Sequence, residues 1–166
     1  MGTGGDYAAI QVFELPSFEQ VAEWHHNTTP MNHQVRILQS INKHIHDTIM
    51  EKDTTASPQI FYSMENNSIG EAALLRVMDI GEENIPGMFL SEPIRKGHRR
   101  KFRRGFNTTA KHKIDACTKF KELVENDKMK LNSQLLISEL KDFVASGMSY
   151  SAKAGQHDDL VSACLL

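Results

Sequence analysis

Apolar and polar positions change period several times along this chain, and each change marks an element. Ala8-Ala9-Ile10-Gln11-Val12-Phe13-Glu14-Leu15 is rich in strand formers and closes at Pro16, which predicts a strand. Glu19 to His25 alternates and predicts its antiparallel neighbour. Met31, Val35, Leu38, Ile41, Ile45 and Ile49 then recur at helical spacing, as in an amphipathic helix with one buried stripe. A polar loop from Glu51 to Pro58 leads to a strand over Ile60–Met64. Ile69, Ala72, Ala73, Val77 and Ile80 predict a second helix stopped by Gly81. Met88-Phe89-Leu90 predicts a short strand.

Asn107 or Thr108 can cap a third helix running to about Asn126, with Ala110, Ile114, Cys117 and Val124 on one face. Met129-Lys130-Leu131 suggests a brief strand, and Ser133 caps a helix carrying Leu136, Leu140, Phe143 and Val144. Met148 to Ala152 reads as an edge strand, and a last helix starts near His157. Paired strands followed by strands alternating with helices predict an α/β domain, a mixed sheet flanked by helices. Residues 1–166 fit a single domain. The last helix reaches Leu166 without a cap or polar tail, so the chain is expected to be a fragment cut at both ends.

No apolar run approaches the roughly 20 residues that span a bilayer, and the N-terminus lacks the apolar core of a signal peptide. Cys117 and Cys164 form no disulfide framework and have no zinc-ligand spacing. A reducing cytoplasmic setting is expected. Charge is distributed unevenly. Pro93 to Ile114 contains nine cations and no acid, so the rest of a chain of net charge −2 carries −11. Such a patch points to a polyanionic partner. Its densest part holds Arg95, Lys96, Arg99, Arg100, Lys101, Arg103 and Arg104, with Gly97 and Gly105 able to form a hairpin and Phe102 and Phe106 interleaved. A cationic strip of this kind can contact several phosphates of double-stranded DNA without reading sequence. DNA is the favoured reading, and the alternative is a solvated charge run or a contact for an acidic protein.

Two acidic landmarks carry the candidate chemistry. Glu65 ends the apolar run Ile60–Met64, and Asp158-Asp159 opens the segment Leu160–Leu166. Carboxylates at a strand end and on a helix's first turn can hold Mg2+, which takes oxygen ligands and completes its shell with water and phosphate. The plain alternatives are that Asp is favoured in any first helical turn by the macrodipole and capping, and that Glu after a strand is a solvated loop residue. Eight histidines, including His25-His26 and His44-Ile45-His46, are better read as surface residues than as zinc ligands. His157 could orient a water or cap the last helix. Trp24 reads as a packing residue on the second strand.

Gly4-Gly5-Asp6-Tyr7-Ala8-Ala9-Ile10, Met64-Glu65-Asn66-Asn67-Ser68-Ile69-Gly70 and His157-Asp158-Asp159-Leu160-Val161 together resemble the nuclease domain of tailed-bacteriophage terminase large subunits. Lys121-Glu122-Leu123-Val124-Glu125-Asn126-Asp127-Lys128 resembles the contractile-tailed phage type in particular. The resemblance implies a ribonuclease H-like fold and a metal-dependent endonuclease that cuts concatemeric viral DNA. The cofactor would be Mg2+ or Mn2+, as two ions. Glu65 matches the family's second catalytic carboxylate and Asp158-Asp159 the motif carrying the third, with either Asp able to be the principal ligand. The family's first catalytic Asp falls before Met1, and Asp6 matches an accessory acid, or alternatively substitutes for the missing one. The basic strip resembles a loop beside the family's catalytic groove.

The implied partners are double-stranded DNA, the portal and the small terminase subunit, with no membrane, in the cytoplasm of the infected bacterial host. No Gly-x-x-x-x-Gly-Lys-Ser/Thr loop is present, so the chain does not carry the family's ATPase motor. A catalytically silent DNA- or portal-docking module of the same fold is the alternative from another class. A resolvase or transposase core is a third reading.

Overall fold

The computed structural model describes residues 7–92 and 104–166. In chain order the elements are β1 (Ala8–Glu14), β2 (Glu19–His26), α1 (Met31–Lys52), β3 (Phe61–Tyr62), α2 (Ser68–Ile80), a three-ten turn (Glu82–Asn84), β4 (Met88–Phe89), α3 (Ala110–Glu125), α4 (Gln134–Asp142), β5 (Phe143–Ser146), β6 (Ser149–Ala152) and α5 (Asp159–Cys164). They form two compact units. One comprises the chain up to Thr28 together with Thr108–Leu166, the other Thr29–Asn107. Pairing is mixed: β1–β2 and β5–β6 are antiparallel, while β3–β4 is parallel.

In the first unit β1 and β2 form the expected hairpin, with Ala8 opposite His26 and a register shift between Val12 and Phe13. The buried side chain of Gln20 ties this hairpin to α4. Its amide donates to Gln11 Oε1 (2.7 Å), and its Oε1 accepts from the backbone N–H groups of Asn132 and Ser133 (2.9 Å each). A buried amide with every such bond made costs little to desolvate and holds one arrangement of its neighbours. The expected strand at Met129–Leu131 contributes a single parallel bridge, Lys130 to Glu19. Next to it Ser133 caps α4 as expected, its Oγ accepting from Leu136 N at 3.0 Å.

Three sequence-based expectations are corrected in this unit. The cap of α3 is Thr109, not Asn107 or Thr108, with its side chain accepting from His112 N. The half-buried face of α3 is Lys113, Ala116, Cys117, Phe120 and Leu123, whereas Ala110, Ile114 and Val124 are exposed. Both faces obey helical spacing, so packing against β6 decides between them, and the aliphatic stem of Lys113 can lie inward while its ammonium finds a partner. Finally, Phe143 and Val144 are not helical. The chain leaves α4 at Asp142 and turns into the β5–β6 hairpin. Gly147, at φ +59°, makes the two-residue turn, and Phe143 stacks with Tyr150 across the strands at 6.1 Å.

The first unit's core is Leu136, Leu160 and Val161, all without solvent exposure, packed with Ala9, Leu131, Leu140, Phe143, Cys164 and Leu165. α5 therefore lies between β1 and α4. Burial also pushes the Cys164 thiol up to about 12. In the second unit α1 packs on α2, but its stripe is more polar than the pattern suggests. Val35 is buried, Ile49 is exposed, and Gln34 and Asn42 are buried. Asn42 is held by donating to Pro86 O (3.0 Å) and Gln34 by donating to Thr29 O (2.7 Å).

Leu136→Ala removes a side chain with no exposure from between two helices, and it should cost about 2–5 kcal/mol of stability. Urea unfolding checks this as a lowered midpoint. A loss below about 1 kcal/mol would show that the contact is dispensable.

Candidate active site

β3 is only two residues long, but its hydrogen bonding continues toward Glu65. Leu90 N donates to Tyr62 O (2.8 Å) and Ser63 Oγ donates to Leu90 O (2.9 Å) on one side. Phe106 N then donates to Met64 O (3.0 Å) and Asn66 N to Phe106 O (2.9 Å), which makes a parallel bridge between Glu65 and Phe106. Asn66 adds a side-chain bond to Arg104 O at 2.8 Å. Glu92 N donates to Gly105 O (3.2 Å), and Asn107 N donates to the Glu92 carboxylate (2.8 Å). Glu65 is thus clamped in the backbone ladder at residues 64–66. Its half-exposed carboxylate accepts from Asn67 Nδ2 at 2.6 Å.

Two glycines make this close packing possible. Gly70, in the first turn of α2, lies so near the Glu65 carbonyl oxygen that a Cβ there would overlap it. Gly105 has φ +75°, and a Cβ on it would sit 2.5 Å from Met64 O. Glycine is needed at both for the approach of backbone to backbone, and at Gly105 also for the left-handed conformation.

The acidic doublet belongs to the first unit. Asp158 is the N-cap residue of α5 and Asp159 its first helical residue, so the helix begins two residues later than His157. Lys113 Nζ lies 3.3 Å from Asp158 Oδ2, with both side chains largely sheltered, and the same ammonium is 5.3 Å from the centre of the Phe143 ring. His157 Nδ1 is 3.7 Å from Asp159 Oδ2. Tyr7 stacks on His25 (4.1 Å) and meets His157 edge-on (5.0 Å). The first and last sequence motifs therefore meet within one unit.

Glu139 of α4 was not anticipated from sequence. Its Oε2 accepts from the backbone N–H groups of Leu160 (2.9 Å) and Val161 (3.2 Å). Burial pushes the Glu139 carboxyl up, the two backbone bonds oppose that, and the nearby Asp159 and Asp158 charges add to it. Lys113 stood out in the sequence only as one cation among nine. Neither residue carries a spacing signal, because both act across elements.

Of the seven cations singled out in the basic strip, Arg95, Lys96, Arg99, Arg100, Lys101 and Arg103 lie outside the described residues, as does Asp6. Arg104 is described, and its guanidinium is ion-paired with Glu82. Its backbone carbonyl is the acceptor for Asn66, so Arg104 closes the ladder beside Glu65.

Among the described residues no group of three or more His, Cys, Asp or Glu side chains is arranged to hold a metal ion. The donor chemistry of Glu65, Asp158 and Asp159 nevertheless fits Mg2+. All three offer carboxylate oxygens, the preferred donors of a hard cation that needs only one or two from protein. The Lys113 ion pair shows that one of them already faces a positive charge. A cavity of about 170 Å3 is lined by Tyr7, His25, Glu139, Asp142, His157 and Leu160 among others. That is below the roughly 300 Å3 at which small-molecule sites begin.

The sequence matches the family described as Terminase RNaseH-like domain over residues 1–166. The chain belongs to that family. Solved structures agree in fold. The large terminase nuclease from thermophilic phage G20c with bound magnesium superimposes with a TM-score of 0.65 at 16% identity, covering 99% of this chain and 75% of that one. The same nuclease without a named metal gives 0.63 at 16%, covering 100% and 76%. Its cobalt-bound form gives 0.63 at 15%, covering 97% and 73%. The terminase domain thus has the expected ribonuclease H-like α/β fold. Among its described residues no helix is long and apolar enough to cross a membrane.

Gly70→Ala should push the Glu65 backbone out of its ladder at a cost of about 1–3 kcal/mol. Urea unfolding should show a lower midpoint with an unchanged slope. An unaltered midpoint would contradict the close approach.

Proposed function

We propose that this terminase domain is a metal-dependent DNA endonuclease that cuts concatemeric viral DNA during packaging. The observation that carries this reading is the family match over all 166 residues. The magnesium and cobalt named for the phage G20c nuclease support a divalent-metal chemistry. Glu65, Asp158 and Asp159 would hold Mg2+ or Mn2+. When bound, two such ions supply an activated water and neutralise charge on the leaving oxygen of a phosphodiester.

The chain's own residues do the rest. The ladder at residues 64–66 fixes the backbone of Glu65, and rigid support of this kind is what ligand geometry requires. Asp158 and Asp159 present two charges from the start of a helix whose next two residues are fully buried. Lys113 balances the charge of Asp158 until a cation or phosphate arrives. Glu92 and Arg104 are both tied to the Glu65 ladder. The cations of the basic segment would contact the phosphates of duplex DNA.

The contractile-tailed phage type rests on the resemblance of residues 121–128. The portal, the small subunit and the host cytoplasm are likewise implied by the family. A silent docking module is the competing reading, favoured by the lack of a three-ligand group among the described residues.

Nicking of supercoiled plasmid in Mg2+ separates the two readings. The domain should nick only when Mg2+ or Mn2+ is supplied. Glu65→Ala, or Asp158→Asn with Asp159→Asn, should lower that rate at least about a hundredfold, and chelation should abolish cutting. A domain that binds DNA and never nicks it would leave only the docking role.

Charge reversal tests the strip. Arg104 is best left in place, because Glu at that position would face Glu82. Arg99→Glu, Arg100→Glu and Arg103→Glu together should weaken duplex binding and flatten its salt dependence, by about 0.9 in logarithmic slope for each phosphate no longer neutralised. Unchanged binding at low salt would remove the strip from the DNA interface.

A further inference from the structure

We infer that Glu139 is a positioning residue that frees Asp158 for cation binding by taking over the capping of α5. An Asp at the N-cap position ordinarily spends its carboxylate on the N–H groups of the second and third helical residues. In α5 those residues are Leu160 and Val161, and Asp158 makes no such side-chain bond. Both N–H groups donate instead to Glu139 Oε2, from a different helix. Leu160 and Val161 are fully buried, so their N–H groups need an acceptor within the protein. With that need met by α4, Asp158 turns its carboxylate toward the ammonium of Lys113. One half-buried carboxylate thereby keeps another available.

The inference deepens the proposed metal site and rests on that reading. Without an acceptor on α4, Asp158 would rotate to cap its own helix. The helix would survive, while the cation would lose a ligand. Loss of affinity without matching loss of stability distinguishes positioning from a merely structural contact.

The test uses Mn2+ as probe, titrated into the 166-residue chain and followed by the electron paramagnetic resonance signal of the free ion. Asp158→Asn serves as the control on the metal reading and should weaken binding. Glu139→Gln retains an oxygen of the right reach and no charge, whereas Glu139→Asp retains the charge and is one methylene too short. Gln should keep the Mn2+ affinity within about threefold, and Asp should lose about tenfold or more, the range seen when supporting groups of metal ligands are altered. Thermal unfolding of the Asp variant should stay close to that of the parent. If Glu139→Asp binds like the parent while Glu139→Gln loses affinity, the charge acts directly and the positioning role is wrong. If both bind like the parent while Asp158→Asn does not, Glu139 has no role in the site. Equal binding by Asp158→Asn and the parent would sink the metal reading itself, and the positioning role with it.

Discussion

The complete burial of Leu160 and Val161 is the constraint on which the first unit turns. Two apolar side chains with no exposure, each worth about 1.5–3 kcal/mol on burial, hold a helix of only six residues that could not persist alone. Leu136 packs against them from α4 and Ala9 from β1. Because these contacts fix where α5 begins, they also fix where Asp158 and Asp159 stand. Burial creates a second demand, since the helix's first N–H groups are cut off from water. Glu139 answers it at the cost of sheltering a carboxyl, and that burial pushes the carboxyl above its ordinary range.

In the second unit the corresponding constraint is backbone pairing. β3 is short, yet it and its flanking residues are bonded to residues 88–90, and the chain beyond it to residues 104–106. Gly70 and Gly105 permit the approach, and Arg104 is held by Glu82. A cation chosen for its place in a basic run thus turns out to support the ladder. The two units solve the same problem differently. One holds its acids by apolar burial, the other by a ladder that leaves the Glu65 side chain half-exposed.

Electrostatics follows from these placements. Lys113 comes from the window that gives the chain its basic patch, but packing of α3 turns it toward Asp158 and the Phe143 ring. The net charge of that window therefore overstates the charge available to an outside partner. A half-buried ammonium beside a half-buried carboxylate is screened less by salt than an exposed pair, and the desolvation of both groups offsets part of that gain.

Local pattern alone determined much of this protein. The β1–β2 hairpin, the helical runs of α1 and α2 with the Gly81 stop, and the Ser133 cap follow from period, β-propensity and capping chemistry, which act within a few residues. The motifs around Tyr7, Glu65 and Asp158-Asp159 carried the resemblance that the family match supports. Tertiary structure decided what depends on contacts between distant segments. It chose the face of α3, since two faces satisfy the same spacing and only packing against β6 breaks the tie. It turned Phe143 and Val144 from helix into strand, because Tyr150 and the Gly147 turn offered them a partner. It also recruited Glu139, which no spacing rule could indicate, because buried backbone donors 21 and 22 residues away required an acceptor.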